Sequence, residues 1–253
     1  MPSNPQRARW ERAAAVLLAL LVWQLAAASL ASSLLLVSPL RVLGRLCGLV
    51  REPQFYAAVG FSFVRIVAGF LLGLGCGTLL AVAASRWHLA EVLLWPYVTV
   101  IKTTPVASFI ILCLIWLDSS SLPVFISFLM VLPIVYANML EGIRQTDQKL
   151  LEMAKLFRVG AERRLLYIYL PQLRPYLITA CSVALGLSWK AGIAAEVIGI
   201  PDGSIGERLY EAKVYLSSAD LFAWTVVIIA VSIAFEKLFL WLLRAGYRRL
   251  EQM

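Results

Sequence analysis

Six long runs of apolar residues, separated by polar segments, dominate this sequence. A helix needs about 20 apolar residues to cross the hydrocarbon core of a bilayer, and each run is long enough to do so. The pattern therefore predicts an all-α, polytopic membrane protein with about six transmembrane helices. The predicted spans are residues 13–36, 57–85, 89–117, 120–140, 176–199 and 219–243.

Composition supports a membrane protein and argues against nucleic acid as a partner. Hydrophobic residues make up 61% of the 253 residues and charged residues 15%, and the mean hydropathy is +0.81. A soluble domain is roughly 45–50% apolar and about 25% charged, so lipid is the expected solvent. The net charge is +8, but the basic residues lie at the ends of the apolar runs, where the anionic cytoplasmic leaflet attracts them.

The distribution of Lys and Arg predicts the orientation of the chain. If the N-terminus is inside, 14 of these residues lie in cytoplasmic segments and 5 in outer segments. Basic residues are enriched on the cytoplasmic side, so both termini are expected in the cytoplasm. The sequence shows neither a repeat nor a separate soluble segment, and we predict one transmembrane domain, residues 1–253.

The longest cytoplasmic segment, residues 141–175, has a helical pattern of its own. Leu150, Ala154 and Phe157 follow the spacing of one helix face, and a break then precedes a second predicted helix, Ala161–Tyr169. Such a helix pair suits the docking of another protein. It equally suits two interfacial helices that lie on lipid headgroups. The periodicity leaves both interpretations open.

Residues 152–171, EMAKLFRVGAERRLLYIYLP, resemble the "EAA" loop of permease subunits in binding-protein-dependent ABC importers. In that loop Glu-Ala-Ala is followed after three residues by Gly, and about nine residues later by Ile-x-Leu-Pro. The residues that match in type and spacing are Glu152, Ala154, Ile168, Leu170 and Pro171. Met153 replaces the middle alanine, and Arg158 stands at the usual glycine position, two residues before Gly160. The turn between the two coupling helices is therefore expected to be built differently.

Three further segments resemble the nitrate/sulfonate/taurine-type branch of this family and its thiamine-precursor relatives. They are FSFVRIVAGFLLG (61–73), IKTTPVASFIILCLIWL (101–117) and SWKAGIAAEVIG (188–199). The resemblance implies a permease subunit of the bacterial cytoplasmic (inner) membrane. Its implied partners are cytoplasmic ABC ATPase subunits, a second permease copy or a paralogue, and an extracytoplasmic solute-binding protein. The residues implied to couple to the ATPase are Glu152, Ala154, Arg158, Gly160, Leu170 and Pro171.

Charged residues within the spans are candidates for a translocation pathway. A charge inside a membrane is costly unless it faces protein or water. Lys102 precedes a Thr-Thr-Pro kink, and a polar, cationic bend at mid-depth suits a small polar or anionic solute. Alternatively, Lys102 reaches the interface or pairs with Glu196 to hold helices together. With Trp189, which either lines the pore or anchors its helix, the candidates are Lys102, Thr103, Thr104, Pro105, Trp189, Lys190 and Glu196.

Two features of the second span each allow two interpretations. Gly69, Gly73 and Gly77 leave one helix face without side chains, so that another helix can approach closely. That helix belongs either to the same chain or to a second copy. Arg65 lies about a third of the way into the span. A salt bridge or a carbonyl cap is the favoured role for Arg65, ahead of a contact to the solute.

No catalytic residue, cofactor or metal site is predicted. The sequence has no GxSxG, HExxH or Walker P-loop motif, so ATP hydrolysis is expected in a separate subunit. The four cysteines share no CxxC or CxxH spacing, and one histidine, His88, cannot form a histidine cluster. The alternatives are an ion-gradient-driven secondary transporter and an intramembrane enzyme. The first needs a repeat, and the second needs paired catalytic groups, for which Lys190 and Glu196 are the candidates.

Overall fold

A computed structural model describes residues 5–29 and 36–250. Within these ranges the chain is helical and contains no strand, so the prediction of an all-α membrane protein is confirmed. The helices are α1 (Pro5–Ser29), α2 (Pro39–Leu49), α3 (Pro53–Arg86), α4 (His88–Thr103), α5 (Val106–Cys113), α6 (Leu122–Arg144), α7 (Gln148–Leu156), α8 (Ala161–Arg164), α9 (Leu170–Gly199), α10 (Ile205–Val214) and α11 (Ser218–Leu250).

Four helices in the described ranges are long and apolar enough to cross a membrane. They are α3, α6, the continuous helix Ala161–Gly199, and Ser218–Arg248 within α11. Helices α4 and α5 together form a fifth candidate, with a bend of 104° between them. The first predicted span, 13–36, contains the shorter apolar helix Ala13–Ser29, and residues 30–35 lie outside the described residues. The number of six spans stays a prediction.

The predicted span 89–117 is broken, not straight. The break lies at Thr104, which is extended (φ −77°, ψ 131°) and is followed by Pro105. Proline has no N–H to donate to the preceding turn, and its ring disfavours a helical conformation in the residue before it. The hydroxyls of Thr103 and Thr104 both donate to the Val100 carbonyl, at 3.3 and 2.8 Å, and close the last turn of α4.

The predicted span 176–199 belongs to a helix that begins earlier than predicted. A π-helical turn, Leu165–Tyr169, joins α8 to α9, so the predicted short helix and the predicted span from residue 176 form one helix. The N–H of Leu170 donates five residues back, to the Leu165 carbonyl. Such a turn shifts the hydrogen-bond register, which accommodates Pro171 and Pro175 inside the helix instead of before it.

Two helices lie where the sequence predicted only outer loops. Helix α2 buries Val42 and Leu49, and α10 buries Ile205 and Ala212. Each has about three turns, too few to span a bilayer, and only one face of each is apolar. A search for runs of about 20 apolar residues therefore does not detect them.

Helices α3 and α6 make the most extensive contact in the described structure, and glycines permit it. A Cβ added at Gly69 would lie 2.3 Å from the Val124 carbonyl oxygen, and one added at Gly73 would lie 2.7 Å from Val131 Cβ. Both distances are far below van der Waals contact, so these positions tolerate no side chain. The glycine face of α3 therefore packs within the chain, against α6.

We expect Gly73→Ala to destabilise the protein and Gly75→Ala to leave its stability unchanged or slightly raised, because alanine favours a helix more than glycine does. The methyl group added at Gly73 overlaps Val131, and overpacking of this kind costs about 1–3 kcal/mol. A Cβ at Gly75 meets nothing within 4 Å, which makes that variant the matched control. Thermal unfolding in one detergent measures both. Equal melting temperatures would contradict close packing of α3 on α6 through this face.

Candidate functional site

Helix α7 is fixed at its start by one capping residue. The Asp147 carboxylate accepts a hydrogen bond from the Lys149 N–H at 2.8 Å, which satisfies an N–H that has no partner within the helix. The Asp147 N–H donates to Gln172 Oε1, also at 2.8 Å. Gln172 lies in the first turn of α9, so this second bond ties the start of α7 to a membrane-spanning helix.

The predicted first helix of the segment 141–175 is confirmed as α7. Of Leu150, Ala154 and Phe157, only Ala154 is buried, at 2% exposure, whereas Phe157 is 72% exposed. The helix therefore presents apolar side chains to its surroundings instead of covering them.

The exposed surface of α7 combines apolar and acidic side chains. Met153 and Leu156 are exposed, Leu156 at 80%, and Phe157 lies beside them at the end of the helix. Glu152, on the same helix, is exposed too. An exposed apolar patch with a charged neighbour is typical of a surface that binds another protein or a membrane.

Helix α7 ends in a left-handed turn at Arg158. The φ of Arg158 is +51°, a conformation that favours glycine, and the next N–H, of Val159, donates to the Ala154 carbonyl at 2.8 Å. Gly160, with φ −60°, precedes α8 in an ordinary extended conformation. The departure from the family pattern thus does not move the turn to Gly160. Arginine itself adopts the left-handed conformation.

Leu170 and Pro171 lie at the start of α9, away from the exposed patch of α7. Leu170 lines a cavity of about 380 Å³ together with Phe239, Leu243 and Tyr247 of α11. Pro171 is exposed. The predicted coupling residues therefore divide into one group on α7 and its turn and another at the base of α9.

Lys102 lies at the C-terminal end of α4, beside the break. Its side chain is exposed, and no acidic group in the described ranges lies within 4.0 Å of it. The carbonyl groups at the end of a helix favour a cation at this place. Thr103 and Pro105 are exposed and Thr104 is half-buried, so the whole polar break is accessible.

Lys190 lies on an exposed stripe of α9. The stripe also contains Val183, Leu187 and Ile198, at spacings that repeat one helix face. Lys190, too, has no acidic partner within 4.0 Å among the residues that the structure describes. A lysine in an apolar stripe of a span requires water, an anion or another subunit beside it.

Glu196 is fully buried and binds the short helix α10, not Lys102. Its Oε2 accepts hydrogen bonds from the Ser62 hydroxyl at 2.7 Å and the Gly206 N–H at 3.1 Å, while Oε1 has no partner in the described structure. Ser62 Oγ in turn accepts from the Ile205 N–H at 3.0 Å. A carboxylate at a helix N-terminus is favoured by the N–H groups that lack partners there. Glu196 therefore joins α9, α3 and α10.

Trp189 is buried as well. It is 2% exposed, packs against Phe63 with 6.1 Å between the ring centroids, and leaves its Nε1 without a hydrogen-bond partner in the described structure. Among the predicted pathway residues, the structure thus separates two groups. The residues at the break and Lys190 reach an open surface, whereas Trp189 and Glu196 lie in the interior.

Some cations elsewhere in the described ranges have carboxylate partners, in contrast to Lys102 and Lys190. Arg45, in α2, donates to Asp220 and, at 3.1 Å, to Glu52. Burial alone lowers the pKa of the Arg45 guanidinium, but the hydrogen bonds and charges of the two carboxylates outweigh it, and the pKa is raised. Arg144, at the end of α6, binds Glu91 at 2.6 Å.

Ser62 and Gly206, which hold the Glu196 carboxylate, were missed in the sequence. A Cβ added at Gly206 would lie 2.2 Å from Glu196 Cβ, so the N-terminus of α10 packs directly on α9. One signal was available, because Ser204 and Glu207 have the spacing of a helix-capping pair. The Glu207 N–H donates to Ser204 Oγ at 2.9 Å. That pattern predicts where a helix begins. It cannot predict which buried carboxylate accepts hydrogen bonds from the N-terminus of that helix.

Comparison with known proteins identifies the family. Residues 69–252 match the family described as the inner membrane component of binding-protein-dependent transport systems. A protein named as an aliphatic sulfonates transport permease, SsuC of Bacillus subtilis (strain 168), is 25% identical over 213 residues, or 83% of this chain and 76% of that protein. The nitrate import permease protein NrtB of Synechococcus elongatus is 27% identical over 152 residues, or 60% of this chain and 54% of that protein.

The fold has a solved counterpart. The crystal structure of an amino acid ABC transporter with histidines superimposes with a TM-score of 0.55 at 19% identity, covering 78% of this chain and 94% of that chain. The relatives are named as transport permeases, so the chain is not an enzyme, and the readings as an intramembrane enzyme or a secondary transporter are set aside. The chain belongs to the inner-membrane permeases of binding-protein-dependent ABC importers, in the nitrate/sulfonate-type branch.

Proposed function

We propose that this permease subunit carries a small anionic solute along a pathway beside the α4–α5 break. The observation that carries the proposal is the position of two exposed lysines, Lys102 beside the break and Lys190 on the open stripe of α9. A lysine there is costly unless water, a carboxylate or an anion meets it. Neither has a carboxylate within 4.0 Å in the described ranges, which favours a wet pathway that attracts anions.

The names of two relatives support the same chemistry. One is named for aliphatic sulfonates and the other for nitrate, and both solutes are oxyanions. Ammonium groups that line a cleft raise the local concentration of anions and repel cations. The proposed solute class is therefore a small oxyanion.

The energy for transport would enter through α7. The family implies a cytoplasmic ATPase, and the exposed Met153, Leu156 and Phe157 beside Glu152 offer a surface for it. Displacement of α7 would reach the membrane by two links, the hydrogen bond from Asp147 to α9 and the turn at Arg158 that leads into α8. The helix is continuous from α8 to the end of α9, so it would move Lys190 and, through Glu196, the outer helix α10.

The remaining partners would occupy the other surfaces. We place both termini in the cytoplasm, as the distribution of basic residues favours. A solute-binding protein would then meet the outer side, where Val214, Tyr215 and Leu216 at the end of α10 are exposed apolar residues. A second permease copy or a paralogue would complete the pathway.

We expect Glu152→Lys to abolish uptake and transport-coupled ATP hydrolysis while the protein still inserts in the membrane. Reversing a charge at an interface brings like charges together, which costs several kcal/mol. Uptake into vesicles and ATP hydrolysis by the reconstituted transporter measure the effect. Glu141→Lys, the same reversal at an exposed inner residue outside α7, is the control and should keep both activities. Normal uptake by Glu152→Lys would rule out docking through this surface.

The orientation can be tested by labelling in a variant without the four native cysteines. We expect Tyr215→Cys to react with a membrane-impermeant maleimide added to intact spheroplasts, and Gln148→Cys to react only after the membrane is opened. Both side chains are exposed, so a difference reports the side of the membrane and not burial. Ser204, in the same outer segment, is fully buried and would not serve. The opposite labelling pattern would reverse the proposed orientation.

We expect Lys102→Met to lower uptake about tenfold or more, because a charged cleft raises the capture of counter-ions by roughly 10–10³-fold. The melting temperature should stay the same or rise, since no carboxylate loses a partner. Lys237→Met removes another exposed lysine, on α11, and is the control. Unchanged uptake would contradict the pathway, and a loss of about 3–5 kcal/mol of stability would indicate a buried ion pair instead.

A further inference from the structure

Arg65 lies apart from both lysines and lines a cavity of about 640 Å³ between α3 and the start of α6. Most of its wall is apolar, with contributions from Leu72 and Phe128. Its polar lining comes from Arg65, Ser120 and Ser121. A cation at the edge of an apolar cavity within a membrane protein requires a reason.

The guanidinium of Arg65 is held in one orientation. Its Nε donates to the Ser120 carbonyl at 2.6 Å, and its Cζ lies 3.4 Å from the centroid of the Phe61 ring. The favoured sequence interpretation, a carbonyl cap, is thus confirmed. The cap uses only one of the three nitrogens, however, and within the described residues neither Nη donates a hydrogen bond.

The positive charge of Arg65 has no ion-pair partner in the part of the chain that the structure describes. The charge of Arg65 acts on the Glu196 carboxylate from a distance, but that carboxylate makes its hydrogen bonds with Ser62 and Gly206. The cavity therefore has a preoriented guanidinium with an unsatisfied Nη edge, and Ser121, whose hydroxyl caps no N–H of α6, is exposed beside it.

This lining selects one ligand chemistry. The Nη edge of a guanidinium binds the paired oxygens of a carboxylate, sulfonate or phosphate, and serine hydroxyls add donors. The apolar wall favours a short alkyl group on the same molecule. Arg65 lies 12 residues from the outer end of α3, or about 18 Å at 1.5 Å per residue, so in the proposed orientation a solute reaches it from outside.

We infer that this cavity is an outer binding site in which Arg65 holds the oxyanion of a small aliphatic solute. The inference rests on the proposed function, because it supplies an entry point to the pathway that Lys102 and Lys190 would continue. Arg65 also acts as a selectivity element at this point. A neutral analogue of the same shape lacks the group that the Nη edge binds.

The test uses the reconstituted transporter, with its ATPase and solute-binding protein, in a background without native cysteines. Ser121→Cys places a thiol in the cavity. Its modification rate is measured with an anionic alkylthiosulfonate that carries a sulfonate and with a cationic reagent of similar size. We expect the anionic reagent to be favoured, and Arg65→Gln to reduce the ratio of the two rates about tenfold.

Arg65→Lys keeps the charge and should keep most of the preference for the anionic reagent. Val50→Cys, at the exposed end of α2, is the control thiol, whose ratio should not depend on residue 65.

Protection of the thiol identifies the occupant. Butanesulfonate should slow labelling when residue 65 is Arg but not in Arg65→Gln, and butanol should not slow it in either. Protection by phosphatidylglycerol, but not by butanesulfonate, would assign the site to a lipid headgroup and overturn the inference. A thiol that neither reagent modifies in the assembled transporter would show that a second permease copy fills the cavity, and would overturn it too. ATP-dependent uptake by the same preparation reports on the proposed function separately, so either can fail alone.

Discussion

The close contact of three helices, α3, α6 and α9, is the constraint on which the other parts of this protein depend. Lipid is as apolar as the side chains, so helices in a membrane are held together by close packing and not by exclusion of water. Small residues make this possible at the crossing point. Ser127 donates to the Ser188 carbonyl at 3.1 Å, and a Cβ at Gly192 would lie 2.7 Å from Ser127 Oγ. This contact sets where Arg65 meets Ser120 and where Ser62 meets Glu196.

The charged side chains discussed above fall into two groups, those that have a polar or charged partner within the chain and cations that have no carboxylate partner in the described ranges. Glu196 is buried, and one of its carboxylate oxygens accepts hydrogen bonds from a hydroxyl and a helix N-terminus, with no cation in direct contact. Arg45, in α2, is paired with two carboxylates. Lys102, Lys190 and Arg65 have no such partner among the described residues. An unpaired charge in a membrane protein costs stability unless water, another subunit or an anion meets it, and the role proposed for these three residues is contact with a solute anion. Binding and release of that anion would both require that no permanent carboxylate competes.

The parts that the sequence predicted well are those governed by local rules. Apolar runs predict membrane helices because the bilayer has a known thickness, and the EAA-like segment predicts α7 because its spacing repeats a helical turn. Local rules failed where contacts with other segments of the chain determine the conformation. The short helices α2 and α10 are stabilised by packing of one face. The π-helical turn at Leu165–Tyr169 joins α8 to α9, so that two prolines lie inside one helix.

By itself the sequence determined the class of protein, the family, the position of helix α7 and the presence of charges within the spans. Only the tertiary structure decided which of these charges have partners. It turned Glu196 toward α10 and left Lys102 exposed, buried Trp189, and directed the glycine face of α3 against α6. The physical reason is that a side chain's partner depends on the relative rotation and depth of two helices. Those quantities follow from contacts between distant segments, which no spacing along one segment records.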